Sequence, residues 1–421
     1  MPGHNAKTAD AGCREGSLIP MRTYEPPQVS PRAEHRRERY RRRAVAQRRD
    51  VRAARAAAGL DPYGSEGWAK PSRRAFCGRA RHLGSVAVKV RHDENGSHAH
   101  FSGVQHCGSI WACPVCSPII RRARAEEITE GARRHIAGGG GIAMVTFTVR
   151  HSRADGLRDS MRVLADAYAD MSRSRAFRDW KPAWGMTGYI TATEITYGVN
   201  GWHPHRHVLM LFSRPISHDD ERVLGGELFD MWSHAVERAG GETVSREAFD
   251  VRAVTRGEEQ VASYVTKTIK GVDGIGAEVS LADVKAGRAA GSINPFQLLD
   301  VETAEAERLW NEYVDATKGR SAIRWSRGLR DALGMGRERT DEEIVDELER
   351  VGEVRVLISP SLFNRVVRDY RTACEVLEAA ERGDAGFIRR KFGGAGYPTR
   401  LPDGRTVAML CDGCEDIAEA A

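Results

Sequence analysis

The spacing of apolar residues changes repeatedly along the chain, and each change marks an element. "SVAVKV" alternates apolar and polar side chains, the period of a half-buried strand, and the polar "DENG" that follows fits a hairpin turn. "SPIIRRARAEEITEGARRHI" then has helical spacing, and the glycine run 138–141 closes it. "IAMVTFTVR" is a β-branched and aromatic run, the pattern of a buried strand, and a helical segment follows over about 154–178. "GYITATEITY" and "WHPHRHVLMLF" flank "GVNG", so they form a hairpin whose turn contains Asn-Gly. Further on, "SHDDERVLGGELFDMWSHAVERAG" is helical, "FDVRAV" a strand, and "GEEQVASYVTKTIKG" a helix with Val261, Val265 and Ile269 as its buried stripe. Tyr264 and Lys267, three apart, share the flank of that helix. A Gly- and Ala-rich linker covers about 272–294, and helical spacing dominates from about 340 until "GGAGYPTRLPDG".

The hairpin carries the first chemistry. Alternate strand residues point to one side, so His203, His205 and His207 stand in a row on a single face. A turn that sets Tyr197 opposite Trp202 puts Glu194 opposite His205; a two-residue Asn200-Gly201 loop puts it opposite His207. Either register brings the carboxylate to the histidine face, because opposed residues of paired strands share a side. Imidazoles with one carboxylate make a divalent-cation site with open positions, and mixed nitrogen and oxygen ligands suit Mn²⁺ or Mg²⁺ acting as a Lewis acid. A tyrosine hydroxyl beside a lysine that stabilises developing negative charge is then equipped to attack phosphorus and form a phosphotyrosine.

Composition and charge narrow the class. The 421 residues are enough for two or three domains, and no apolar run is long enough for a membrane span. The N-terminus lacks the apolar core of a secretory signal, so a cytoplasmic protein is expected. Net charge is +6, but "PRAEHRRERYRRRAVAQRRDVRAARAAAG" concentrates arginine near the N-terminus, where one helix over about 32–58 and a polyanion partner are expected. Of eight cysteines, Cys77, Cys107, Cys113 and Cys116 supply four thiolates across a hairpin, the makeup of a structural Zn²⁺ site, with His106 or His82 as substitutes for a cysteine. "CDGC" at 411–414 has no obvious partners nearby apart from Cys374.

Together these motifs resemble the rolling-circle replication initiators of actinobacterial and Gram-positive plasmids, in the HUH endonuclease superfamily. "MVTFTVRH" is similar to the family's first motif, "HPHRHVLMLF" to its metal-binding motif and "YVTKTIK" to the motif holding its nucleophile, while "CGSIWACPVCS" and "GRSAIRWSRGLR" are similar to flanking blocks; the resemblance covers about 77–335. It implies an α+β fold: an HUH-type domain with a central antiparallel sheet flanked by helices, preceded by a small cysteine-rich zinc-ribbon-like module and a basic N-terminal arm. The boundaries expected are a partly disordered arm over 1–75, the module over 76–120, the endonuclease domain over 121–335 and a mostly helical region over 336–421. The resemblance further implies a site-specific nick at the plasmid origin, with Tyr264 joined to the 5′ phosphate and a free 3′ hydroxyl left as primer. His205 and His207 match the paired metal ligands, His203 the extra leading histidine and Tyr264 the nucleophile. Origin DNA is the implied partner, with a host helicase and DNA polymerase alongside.

Two departures stand out. The residue between the paired histidines is ordinarily bulky and hydrophobic in the family and is Arg206 here, on the side away from the metal, leaving that side less buried or in contact with DNA. Some relatives place a glutamate four residues before the tyrosine for the terminating cut; that position is Gln260, with Glu259 one step off. A single-tyrosine HUH transposase and a noncatalytic zinc-dependent DNA-binding regulator are the competing readings.

Overall fold

The structure, a computed structural model, describes residues 31–82, 84–94, 96–254, 292–384, 386–393 and 396–411. In chain order it runs α1 (Pro31–Ala57), β1 (Val86–Asp93), β2 (Gly96–Ser102), α2 (Cys116–Ala137), β3 (Gly141–Thr148), α3 (Leu157–Arg173), α4 (Arg175–Trp184), β4 (Met186–Gly198), β5 (Gly201–Phe212), α5 (His218–Arg238) and β6 (Asp250–Ala253). After the helix Ala304–Thr317 come β7 (Ile323–Trp325), the helix Asp341–Arg350, β8 (Glu353–Ile358), the helices Pro360–Val366 and Tyr370–Glu381, β9 (Gly396–Arg400) and β10 (Thr406–Leu410). The fold is mixed α and β, with two five-stranded sheets.

The first sheet has the order β6-β3-β5-β4-β7, and every neighbouring pair is antiparallel. Its centre is β5, whose unbroken apolar half reflects burial on both faces. Val208, Met210 and Phe212 join Ala143, Val145 and Phe147 of β3 in one core with residues of α3, α4 and α5. Leu209 and Leu211 point the other way and join Ile142, Met144 and the α2 residues Ile128 and Ala132 in a second core. The histidines occupy the remaining half of the same strand, where the faces are only half covered. The helical segment expected over 154–178 is two helices, because the Ser174 hydroxyl caps a new one by accepting the Phe177 N–H at 3.1 Å.

The second sheet, β2-β1-β8-β10-β9, draws strands from both ends of the chain: β1 pairs with β2 and with β8, and β10 runs parallel to β8. The hairpin expected beside the cysteines is therefore completed by three strands from a region in which the spacing predicts mainly helices. β9 and β10 flank the turn "LPDG", and β8 is a short run inside helical surroundings, so neither stands out by periodicity.

The arginine block is an interior helix rather than a free arm. α1 follows the expected bounds, and several of its arginines are spent on carboxylates and carbonyls more than 240 residues away. Arg36 and Arg37 pair with Glu381 (2.9 Å) and Glu378 (2.9 and 2.7 Å) on the helix packed against the second sheet. Arg42 and Arg52 make two-pronged pairs with Asp300 (2.8 and 2.6 Å) and Glu307 (2.8 and 2.7 Å), beside the first sheet. Between them the buried Arg49 guanidinium donates to the carbonyls of Leu298 (3.2 Å), Val301 (2.8 Å) and Ala306 (3.2 Å). Glu381 also accepts the Ala99 N–H at 2.8 Å, which closes part of the β2 edge. Among the described residues no helix is long and apolar enough to cross a membrane.

Arg49→Met keeps the stem but strands three carbonyls, so the protein should lose about 2–3 kcal/mol of stability. Urea denaturation of the two proteins checks this, with a lower midpoint expected for the variant.

Candidate functional site

The β4–β5 register resolves the hairpin. Tyr197 pairs with Trp202 and Gly198 with Gly201, so the turn is Val199-Asn200 and Glu194 lies opposite His205. Gly201 has φ +86, and a Cβ there would lie 3.0 Å from both Ser152 O and Arg153 Cα. Only glycine lets the segment after β3 seat on the hairpin tip.

Three side chains converge on the face so formed. Ligand atoms of Glu194, His205 and His207 lie within 4.8 Å of one another. The Glu194 carboxylate is 3.0 Å from His207 Nε2 and 3.6 Å from His205 Nε2, and each side chain is about 15% exposed. From β3, Thr146 sits beside His207 in the register, with its Oγ1 3.1 Å from Nδ1. When Nε2 is turned to a cation, Nδ1 must carry the proton and donate to Thr146, so Thr146 fixes both tautomer and ring orientation. The donor set of two imidazoles and one carboxylate, half-buried with open positions, fits a divalent cation.

His203 does not join this group. Its ring stacks on His151, with centroids 4.3 Å apart and 20° between planes, and meets His205 edge-on at 4.2 Å. The row of three alternate histidines is therefore two ligand candidates and one neighbour braced by a fourth imidazole. Burial depresses His205 to about 3, despite the opposing effect of Glu194, and burial together with His151 depresses His203 to about 4. Both rings are neutral at physiological pH, the form a cation needs.

Arg206 points to the opposite face, as alternation requires. That face is occupied: the guanidinium lies over the Tyr168 ring of α3, 4.8 Å from its centroid. Tyr264 and Lys267, and with them Glu259 and Gln260, lie outside the described residues.

A second group is fully buried. The sulfurs of Cys77, Cys107, Cys113 and Cys116 all lie within 4.8 Å of one another. Measured separations are 3.5 Å (77 to 116), 3.7 Å (77 to 113) and 3.9 Å (107 to 116). A tetrahedron with metal–sulfur arms of about 2.3 Å has edges of about 3.8 Å, so the four thiols already have the spacing of a metal cage. Hydrogen bonds from Cys107, Cys113 and Cys116 hold Cys77 well below the usual thiol range, while Cys107 and Cys116 are pushed up. Four thiolates this close together need a cation to balance their charge. Neither His106 nor His82 replaces a cysteine. His106 is a neighbour of the cage, its Nδ1 3.9 Å from Cys116 Sγ and its Nε2 3.5 Å from Glu349.

Thr146 and His151 are the site residues the sequence reading missed. Both lie in "MVTFTVRH", but their places depend on a pairing between strands some 60 residues apart. Of the other cysteines considered, Cys374 is buried far along the chain in the helix Tyr370–Glu381, and Cys414 lies outside the described residues.

The chain thus combines an antiparallel sheet whose histidine–carboxylate group could hold a cation with a buried four-cysteine cluster, and comparison with known sequences adds a family. Residues 99–355 match the family described as "Replication protein". The chain belongs to that family, as its resemblance to replication initiators implies. It is 29% identical to "Protein rep" of Streptomyces lividans over 309 residues, 58% of this chain and 67% of that one. It is 30% identical to "Neomycin resistance protein" of Streptomyces cyanogenus over 218 residues (44% and 48%), and 31% identical to "Protein rep" of Lentilactobacillus hilgardii over 133 (30% and 40%). The chain thus spans about two thirds of the first relative and less than half of the other two. No solved structure matches the chain significantly.

The depressed histidines make acid stability a direct readout. With folded values below the unfolded value of about 6.5, the unfolded chain binds more protons as pH falls; stability is complete above about 6.5 and is lost toward about 4. Metal-free protein should lose on the order of 2 kcal/mol for each of the two rings between pH 7 and pH 5. The same titration on His205→Asn should show a shallower loss; identical slopes would contradict the assignment.

Proposed function

We propose that the chain is a plasmid rolling-circle replication initiator of the HUH type, which binds origin DNA and nicks one strand. The observation that carries this is the convergence of Glu194, His205 and His207 on one face of the central hairpin, in a chain of the replication protein family. Mn²⁺ or Mg²⁺ held by these three residues would supply Lewis-acid polarisation of the scissile phosphate. Thr146 keeps the His207 nitrogen turned toward the ion, and His203 and His151 brace the His205 ring from the other side.

In this reading the Tyr264 oxygen attacks phosphorus, an O–P bond to the phenol forms, and the O–P bond to the 3′ oxygen breaks. The phenol gives up its proton and the departing oxygen gains one, leaving a 3′ hydroxyl for a host polymerase to extend behind a host helicase. Lys267 stabilises the charge developing on the phenol oxygen. The four cysteines hold structural Zn²⁺, for which four thiolates at this spacing are the usual ligand set. Plasmid replication places the protein in the cytoplasm.

One experiment separates this reading from a noncatalytic DNA-binding regulator, and a second tests the cysteine cage. With a labelled single-stranded origin oligonucleotide and Mn²⁺, the protein should form a covalent adduct that survives a denaturing gel, and Tyr264→Phe should abolish the adduct while binding persists. An undiminished adduct from the variant would remove Tyr264 from its role. For the cage, protein purified without chelator should carry one equivalent of zinc by elemental analysis, and Cys113→Ser should lose the zinc and unfold at a lower temperature. Zinc-free protein of full stability would contradict the structural site.

A further inference from the structure

Between α1 and Cys77 runs "LDPYGSEGWAKPSRR", in which two rings stand out from the protein: Tyr63 is 76% exposed and Trp68 77%. Among the described residues the other exposed aromatic rings, Phe76 and Tyr397, show 43% each. Bare rings of this size are ordinarily found on loose chain, but this loop is built. The buried Arg55 guanidinium donates to three of its carbonyls, those of Asp61 (2.8 Å), Glu66 (2.7 Å) and Gly67 (3.0 Å). Gly67 takes φ +74 where a Cβ would come 3.0 Å from Leu60, and the Asp61 carboxylate accepts the Tyr63 N–H at 3.0 Å. Arg52 lies 5.1 Å from the Tyr63 ring centroid. The far end is anchored as well: Arg73 donates to His106 O at 3.3 Å and Arg74 grips Asp50, next to the cysteine cage. A buried cation and a left-handed glycine thus hold the rings in water.

We propose that this loop is a stacking platform for single-stranded nucleic acid, with Tyr63 and Trp68 as its base-stacking rings. A protein interface presents a contiguous apolar patch of several hundred Å², and the rings are instead set in a largely polar loop. They are separated by Gly64, Ser65, Glu66 and Gly67, which suits separate bases better than one hydrophobic surface. Residues 61–79 carry four cations, Lys70, Arg73, Arg74 and Arg79, against two carboxylates, Asp61 and Glu66, and Lys70, Arg73 and Arg79 are exposed for phosphate contact. Flat rings beside cations recognise strands whose bases are unstacked; in a duplex the base faces are closed to them. The platform deepens the proposed function, since it rests on the chain's handling of DNA, and it would hold a single strand that the nicking reaction uses or displaces.

Fluorescence anisotropy tests the platform on the full chain, without added Mn²⁺ or Mg²⁺ so that no strand is cut and without chelator so that the cysteine cage keeps its metal, with a fluorescein-labelled oligothymidylate as probe. Trp68→Ala should weaken binding about fivefold or more, as should Tyr63→Ala, given the worth of one stacked base. Trp68→Phe should retain most of the affinity, and binding to a labelled duplex should be unchanged in all three. Unaltered oligothymidylate binding by the double alanine variant, or equal losses for duplex and single strand, would overturn the platform, and so would failure of the unmodified protein to bind the probe. The nicking reading stands or falls separately: covalent adduct formation by Trp68→Ala at saturating oligonucleotide supports nicking whatever the anisotropy shows, and a protein that makes no adduct but loses oligothymidylate binding on Trp68→Ala has the platform without that chemistry.

Discussion

The pairing of Glu194 with His205 across one hairpin is the constraint on which the site depends. A strand side chain has only two directions, so a slip of one residue in this register would send the carboxylate to the face that carries Arg206 and Tyr168. Several independent features hold the register. The apolar half of β5 is buried on both faces, β3 pairs along its other edge and sets Thr146 against His207, and Gly201 admits the segment that carries His151 to the hairpin tip. The histidine row is therefore placed by the packing of the strand's other half. Rigid sheet backbone on both sides of β5 gives a cation site the positional precision that a loop would not.

Charge is used in two different ways in this molecule. Along α1, arginines that look like a nucleic-acid arm are consumed by Glu307, Asp300, Glu378 and Glu381 and by three carbonyls, so the helix ties the two sheets together. Where the helix ends, the same residue type holds a loop in place: Arg55 is buried under carbonyls while Lys70 and Arg73 stay exposed. Cationic residues in one stretch of sequence thus divide into those spent on the fold and those left for a partner. Partly buried pairs of this kind are specific in geometry more than strong in net energy, because desolvation offsets much of their attraction.

What was legible in the sequence is what depends on local pattern. The period-2 histidines, the carboxylate on the opposing strand, the buried β3 run, the α1 helix and the cysteine quartet all follow from spacing within one or two neighbouring elements. The choice between the two hairpin registers did not, since "GVNG" allows a turn at Val199-Asn200 or at Asn200-Gly201 and only the strand's packing decides. His203 shares the spacing of its two neighbours and still turns to His151, because ring orientation is a matter of contacts and not of period. The second sheet was hidden for a similar reason: β1 finds β8 more than 250 residues later, and short strands such as β8 carry too few residues for a period to show. The fate of many of the arginines was equally non-local, since Asp300, Glu307, Glu378 and Glu381 all lie hundreds of residues downstream.

The central claim is that Glu194, His205 and His207 hold one divalent cation. Anomalous diffraction at the manganese edge, from crystals of the full chain grown with Mn²⁺, tests it most directly. The account predicts a single strong peak bonded to the Nε2 atoms of His205 and His207 and to the Glu194 carboxylate, with Nδ1 of His207 still against Thr146. A peak elsewhere with these three side chains unliganded, or no peak at saturating Mn²⁺, would contradict it.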